Sequence, residues 1–164
     1  MADNTLLHEK LSTGAEFLGG EDYYRNNIPD YLEKNLNPNF LIRPYQQEAF
    51  GRFKYYMESY LGRSENIPTH LLYHMATGSG KTMVMAGLML YLYEQGYRNF
   101  LFFVNSTNII NKTRDNFLNS SSSKYLFSDS VHLNKKQIKI KEVDNFQGAN
   151  PDDINIVFST IQGL

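Results

Sequence analysis

Apolar positions along the chain fall into periodic stripes and short continuous runs, and the two kinds predict different elements. Ala49, Phe50, Phe53, Met57, Tyr60 and Leu61 recur at helical spacing behind Pro44. Proline suits a first helical position, where its missing N–H would find no partner anyway. A helix is predicted from there, with Gly62 as its stop. Thr82 to Tyr93, TMVMAGLMLYLY, is apolar almost all round. It is too long for an ordinary strand and poor in β-branched residues, so it predicts a buried helix. Ser106 to Leu118, with Ile109, Ile110, Thr113 and Phe117 on one face, predicts another. HLLYHM (70–75), NFLFFV (99–104) and INIVF (154–158) are short and flanked by turn formers, and read as buried strands.

Elsewhere the pattern is weaker. Leu6, Leu7, Leu11, Phe17 and Leu18 suggest a short helix interrupted by Gly14, Gly19 and Gly20. DYYRNNIPDYLEKN (22–35) reads as two helical pieces divided at Pro29. Asn37-Pro38-Asn39 and Asn150-Pro151-Asp152-Asp153 are turn signals, and Ser120–Ser123 is a loop. Residues 131–147 form a polar, basic insertion with alternation around Ile138 and Ile140, which fits a hairpin or a single edge strand. Strand, helix, strand, helix, strand is an α/β order, and it predicts a mainly parallel sheet. Short helices precede it over residues 1–40, a helical extension ahead of the domain expected over 41–164.

Composition narrows the chemistry. The 164 residues suffice for one ordinary domain, and 41% hydrophobic content allows a sizeable core. With 16 Lys and Arg against 17 Asp and Glu the net charge is -1, so any nucleic-acid site must be local. There is no cysteine, which excludes disulfides and thiolate metal sites. Met1-Ala2-Asp3-Asn4 is not the start of a secretory leader, and no run approaches a membrane span, so a cytoplasmic protein is expected.

Residues 75–82, MATGSGKT, sit between a predicted strand and a predicted helix. This is the setting of a phosphate loop, G-x-x-x-x-G-K-[ST], with Ala76 in place of the first glycine. Over Ala76, Thr77, Gly78, Ser79 and Gly80 the glycines let backbone N–H groups converge on an anion with no Cβ in the way. The helix N-terminus adds its own free N–H groups. Lys81 brings a point charge to the outer phosphates, and the Thr82 hydroxyl can hold magnesium. Lys81 and Thr82 are therefore the catalytic candidates, and a nucleoside triphosphate with Mg2+ is the expected ligand. A glycine-rich turn of no chemical use is the bland alternative.

ATGSGKT preceded by Arg43-Pro44-Tyr45-Gln46 resembles the superfamily 2 helicase-like ATPases, and among them the restriction-enzyme helicase group of type III Res subunits and type I motor relatives. The likeness runs from about Leu41 to the end. It implies a RecA-like P-loop domain of which 41–164 is the first part. It also implies ATP, with Mg2+, as the cofactor, and that Arg43 and Gln46 join the ATP site, Gln46 reading the adenine edge with one donor and one acceptor. Phe102 to Thr107 falls where relatives contact a DNA strand, although Asn105-Ser106 stands where Pro-Thr is common and Lys112 where a glutamine is common. Phe158 to Leu164 resembles the segment whose hydroxyls hold a nucleic-acid phosphate. Asn105, Ser106, Thr107, Ser159 and Thr160 are thus DNA-contact candidates; helix capping is the structural alternative for Ser106, Ser159 and Thr160. The family's DEAH-like motif, second RecA-like domain and nuclease domain would lie beyond Leu164, so little turnover is expected of this chain alone. The parent activity implied is an ATP-driven helicase or translocase on DNA, in a restriction enzyme joined to a methyltransferase or specificity subunit. A P-loop kinase or GTPase-like switch and a non-catalytic interaction module are the rival readings. RPYQ ahead of the loop counts against a kinase, and no guanine-reading motif is found.

Three other features have blander readings. Lys135, Lys136, Lys139 and Lys141, near His132, could follow a phosphate backbone, but a solvated insertion explains them as well. Tyr45, Phe53, Tyr56 and Tyr60 could stack bases, but at helical spacing they fit packing. His70 and His74 lack a third ligand in the sequence around them, and a metal site there is not expected.

Overall fold

The computed structural model describes residues 5–60 and 67–160. The elements in chain order are α1 (Leu7–Leu18), α2 (Tyr23–Asn26), α3 (Asp30–Asn35), α4 (Pro44–Glu58), α5 (Lys81–Glu94), β1 (Asn99–Val104), α6 (Thr107–Leu118), β2 (Val131–Leu133), β3 (Lys136–Ile138), β4 (Ile140–Glu142) and β5 (Ile154–Thr160). They divide into two compact units, Met1–Pro29 with Ile42–Ser79 and Asp30–Leu41 with Gly80–Leu164.

The first unit is helical. Helix α1 runs unbroken through Gly14, where the sequence predicts an interruption, and stops at Gly19, whose φ of 142° is open to glycine. One glycine costs a helix only about 1 kcal/mol. Here Leu11, Ala15 and Tyr24 form a small buried core, and the Tyr24 hydroxyl donates to Leu11 O at 2.8 Å. Helix α4 starts at Pro44 as expected and buries Phe50, Gly51 and Phe53. A Cβ on Gly51 would overlap the Tyr24 carbonyl, so the absence of a side chain is what lets α2 lie against α4. Helix α4 ends at Glu58, where the Ser59 N–H donates to Tyr55 O at 2.8 Å, so it stops short of Gly62, the expected end, which itself lies outside the described residues.

The predicted strand at 70–75 is not formed. No ladder is assigned to these residues, although their exposure alternates: His70, Leu72 and His74 are exposed, Leu71, Tyr73 and Met75 half-buried. Leu72 is 92% exposed, which a buried strand would not allow. A strand exists only through hydrogen bonds to a neighbour, and no described residue supplies them.

The second unit carries the sheet. β1, β5 and β4 lie in that order, both pairs parallel, with Asn99 opposite Asn155 through Val104 opposite Thr160, and Ile140 opposite Ile154. The mainly parallel α/β fold expected from the sequence is thus present. Ile154 and Ile156 on the central strand are fully buried. The Phe102 and Phe158 rings meet at 5.5 Å, and Arg114 of α6 lies over Phe158 while forming a two-pronged ion pair with Glu142 of β4 at 2.7 Å. Helix α5, apolar all round, buries Met83, Val84, Ala86, Met89, Leu90, Tyr91 and Tyr93. Both alternatives for 131–147 occur. β2 and β3 make an antiparallel hairpin whose two turn residues, Asn134 and Lys135, have φ of 50° and 61°, and β4 then joins the main sheet as its edge. Residues 30–41 are tied into this unit by Asn35, whose side chain bonds both backbone groups of His132 (2.6 and 3.0 Å), and by Asn37, bonded to Tyr125 O at 2.6 Å.

Candidate functional site

The phosphate-loop sequence builds a turn and then a helix. Ser79 closes the turn, its hydroxyl and its N–H both donating to Ala76 O at 2.7 and 3.3 Å. Gly78 and Gly80 have φ of 78° and 82°, the left-handed region that side chains disfavour. At Gly78 a Cβ would meet nothing, so the backbone angle, not crowding, is what requires glycine there. Gly80 caps α5 through its carbonyl, which accepts from Met83 N at 2.9 Å and Val84 N at 3.2 Å. Lys81 and Thr82 occupy the first turn of α5, where backbone N–H groups have no carbonyl one turn earlier in the helix. Lys81 is exposed and Thr82 half-buried.

Arg43-Pro44-Tyr45-Gln46 reaches this loop from 33 and 34 residues away. The Gln46 side chain is buried, 5% exposed. Its Oε1 accepts from Arg43 N at 2.9 Å, which closes the N-terminus of α4, and its Nε2 donates to Ser79 O at 3.0 Å. The Tyr45 hydroxyl donates to the same carbonyl at 2.9 Å and accepts from Arg43 Nη1 at 3.1 Å. Ser79 O thus receives two hydrogen bonds from one helical turn. The oxygen and the nitrogen of the Gln46 amide are thus both engaged within the chain. Tyr45 is missing from the nucleotide candidates read off the sequence, where it counts among the aromatic positions of α4. Its signal was its place, between Pro44 and Gln46 rather than deeper in the helix.

The DNA-contact candidates gather at one end of the sheet. Parallel pairing puts Phe103 beside Ser159 and Val104 beside Thr160, so Asn105, Ser106 and Thr107 continue from the strand end next to Ser159 and Thr160. Ser106 caps α6 with its backbone carbonyl only, which accepts from Ile109 N and Ile110 N at 3.1 Å; its hydroxyl makes no capping bond. Ser159 Oγ donates to Thr160 O at 3.2 Å. Residues 161–164 lie outside the described part.

The lysine cluster is largely turned to internal use. Lys136 pairs with Asp152 at 3.1 Å and Lys141 with Asp153 at 2.6 Å, while Lys135 is a turn residue. Asp153 is 6% exposed. Burial pushes its carboxyl up, but the Lys141 ammonium, the Lys139 N–H and Asn150 outweigh this and hold it below the usual carboxylate range. Tyr56 and Tyr60 stack on each other at 5.5 Å. Among the described residues no group of three His, Cys, Asp or Glu side chains could hold a metal, and no helix is long and apolar enough to cross a membrane.

Residues 39–164 match the family described as "Type III restriction enzyme, res subunit". The chain is also 40% identical over 141 residues to the "Probable type III restriction-modification enzyme HindVIP Res subunit" of Haemophilus influenzae. That match takes in 84% of this chain and 27% of the relative, so the chain spans about a quarter of that protein's length. No solved structure matches it significantly.

Proposed function

This chain belongs to the type III restriction enzyme Res-subunit family, and on that footing we propose that it is the ATP-binding portion of a DNA helicase or translocase subunit of a restriction enzyme. The observation that carries the reading is the loop at 76–82: two left-handed glycines, a lysine and a threonine open a buried helix, and the RPYQ turn grips the loop at Ser79 O. The N-terminal 40 residues are then an extension, and the family match beginning at residue 39 supports that division. Backbone N–H groups of 76–82 hold the phosphates, Lys81 neutralises the outer ones, and Thr82 places its hydroxyl for magnesium. Gln46 reads adenine with its amide, beside Arg43. Asn105, Ser106, Thr107, Ser159 and Thr160 hold one DNA strand by its phosphates, which fixes position without reading sequence. A methyltransferase or specificity subunit is the proposed partner, and cleavage of DNA the proposed outcome in the whole enzyme.

Calorimetry tests the nucleotide part. ATP with magnesium is expected to bind weakly and better than GTP, and Lys81→Ala to weaken ATP more than adenosine because the lysine acts on charge. Equal affinity for ATP and GTP, unaltered by Gln46→Ala, would remove Gln46 from the base. Thr160→Ala is expected to weaken a salt-dependent complex with labelled duplex at unchanged melting temperature; a lower melting temperature with identical binding would make the hydroxyl structural.

A further inference from the structure

We propose that Tyr45 is a positioning residue for the phosphate loop: together with Gln46 it fixes the Ser79–Gly80 peptide so that the Gly80 N–H faces the bound phosphates. The inference rests on reading 76–82 as a triphosphate cradle, and it concerns what sets the cradle's shape. A peptide unit is planar, and with no cis bond among the described residues its C=O and N–H point in opposite directions. Whatever holds Ser79 O therefore aims the Gly80 N–H the other way. Two donors hold it, Tyr45 Oη at 2.9 Å and Gln46 Nε2 at 3.0 Å, matching the two lone pairs of a carbonyl oxygen.

The bonds that Ser79 makes within the loop act on the other side of its Cα. Ser79 N and Oγ both return to Ala76 O and close the turn, whereas the orientation of the next peptide is set by Ser79 ψ and Gly80 φ. Gly80, at φ 82° and ψ 35°, has no Cβ to restrict that rotation. A peptide beside an unrestricted glycine needs an outside hold, and the RPYQ turn supplies it. Tyr45 is also not placed by core packing, since it remains 42% exposed. Its ring is held at its polar end, between Arg43 Nη1 at 3.1 Å and Ser79 O. Donation from Arg43 polarises the hydroxyl and strengthens its own donation onward.

Tyr45→Phe removes the hydroxyl and leaves the ring. Binding of ATP and of inorganic tripolyphosphate would be measured by calorimetry for the wild-type and variant chains, with thermal melts and the Gly80 amide resonance recorded without ligand. One net hydrogen bond corresponds to about a fivefold change. Both ligands are expected to weaken by that common factor, with the melting temperature unchanged and the Gly80 amide resonance displaced. Loss for ATP alone would mean that Tyr45 serves the base, and would overturn the inference. So would unchanged affinities, or a lower melting temperature with unchanged affinities. Failure of the wild type to bind either ligand would overturn the triphosphate reading itself. The Gly80 resonance separates the two failures: unmoved in the variant, it overturns the role of Tyr45 whether or not nucleotide binds.

Discussion

HLLYHM at 70–75 and NFLFFV at 99–104 are six-residue apolar runs of the same kind, and their exposure alternates in the same way, exposed then half-buried from the first residue to the last. One is a strand and the other is not. Every residue of β1 faces a residue of β5 in register, from Asn99 and Asn155 to Val104 and Thr160, while 70–75 has no ladder among the described residues. Leu101 on β1 is 52% exposed and Leu72 is 92%. Alternation therefore reports a backbone with two unlike faces. It says nothing about the edge, where the hydrogen bonds that define a strand are made.

The difference should be plainest when each run loses what surrounds it. Ile156 sits on the central strand opposite Phe100 on one side and Glu142 on the other, and is 1% exposed. Ile156→Ala removes buried methyl and methylene groups from between two neighbours and is expected to cost about 2–5 kcal/mol. Leu72→Ala truncates a side chain already in water and should stay within about 0.5 kcal/mol. Urea unfolding of the two variants measures both. Equal costs would show that 70–75 is a core strand in solution and would dissolve the contrast.

The same distinction explains what was legible in the sequence. Helix α4 begins at Pro44 because proline there is both a pattern and a cause, and α5 and α6 follow from periodicity and length. Helix α1 was harder, since the gain that carries it through Gly14 comes from Tyr24, ten residues on and on another helix. The insertion at 131–147 left two pairings open because alternation around Ile138 and Ile140 cannot choose a partner, and the chain uses both. At the site, the glycines announce themselves through backbone needs, and the lysine and threonine through side-chain chemistry, that belong to the loop alone. The grip of Tyr45 and Gln46 on Ser79 O joins positions more than 30 apart, and no local pattern encodes it.

Among its described residues the unit that contains 70–75 coheres by helix packing and has no ladder, and Gly51 tests this. A methyl group there would collide with the Tyr24 carbonyl, which is backbone and cannot rotate away. Gly51→Ala is expected to destabilise by about 1–3 kcal/mol through separation of α2 and α4, read as a lower urea midpoint. A neutral result would mean that this unit does not depend on the α2–α4 approach.

On the sheet side, Asp153 sits just before β5 and joins it to the start of β4, accepting from Lys139 N at 2.9 Å and pairing with Lys141 at 2.6 Å. Its carboxyl is held below the usual range, so the folded state binds its proton less readily than the unfolded chain does. The stability it contributes is complete above the ordinary carboxylate pKa of about 4. That stability is lost as pH falls through the lower folded value. Asp153→Asn should cost about 1 kcal/mol at neutral pH and reduce the acid sensitivity of unfolding. An unchanged acid limb would mean that other carboxylates set it.

The smallest effect concerns the inner face of 70–75. Tyr73 is half-buried on that face, and burial pushes its hydroxyl well above its ordinary value of about 10, although the segment has no ladder among the described residues. Tyr73→Phe keeps the ring and should change stability at neutral pH by less than about 0.5 kcal/mol. The consequence appears in alkali. A raised folded pKa gives stability that is whole below about pH 10 and lost as pH rises through the folded value, because the unfolded chain releases the proton first. The phenylalanine variant has no such proton, and its unfolding midpoint should fall less than that of the wild type between neutral pH and about pH 11. Identical alkaline curves would mean that Tyr73 is solvated in the folded protein. The run at 70–75 would then have neither a paired edge nor a packed face, and its alternating pattern would carry no structural consequence at all.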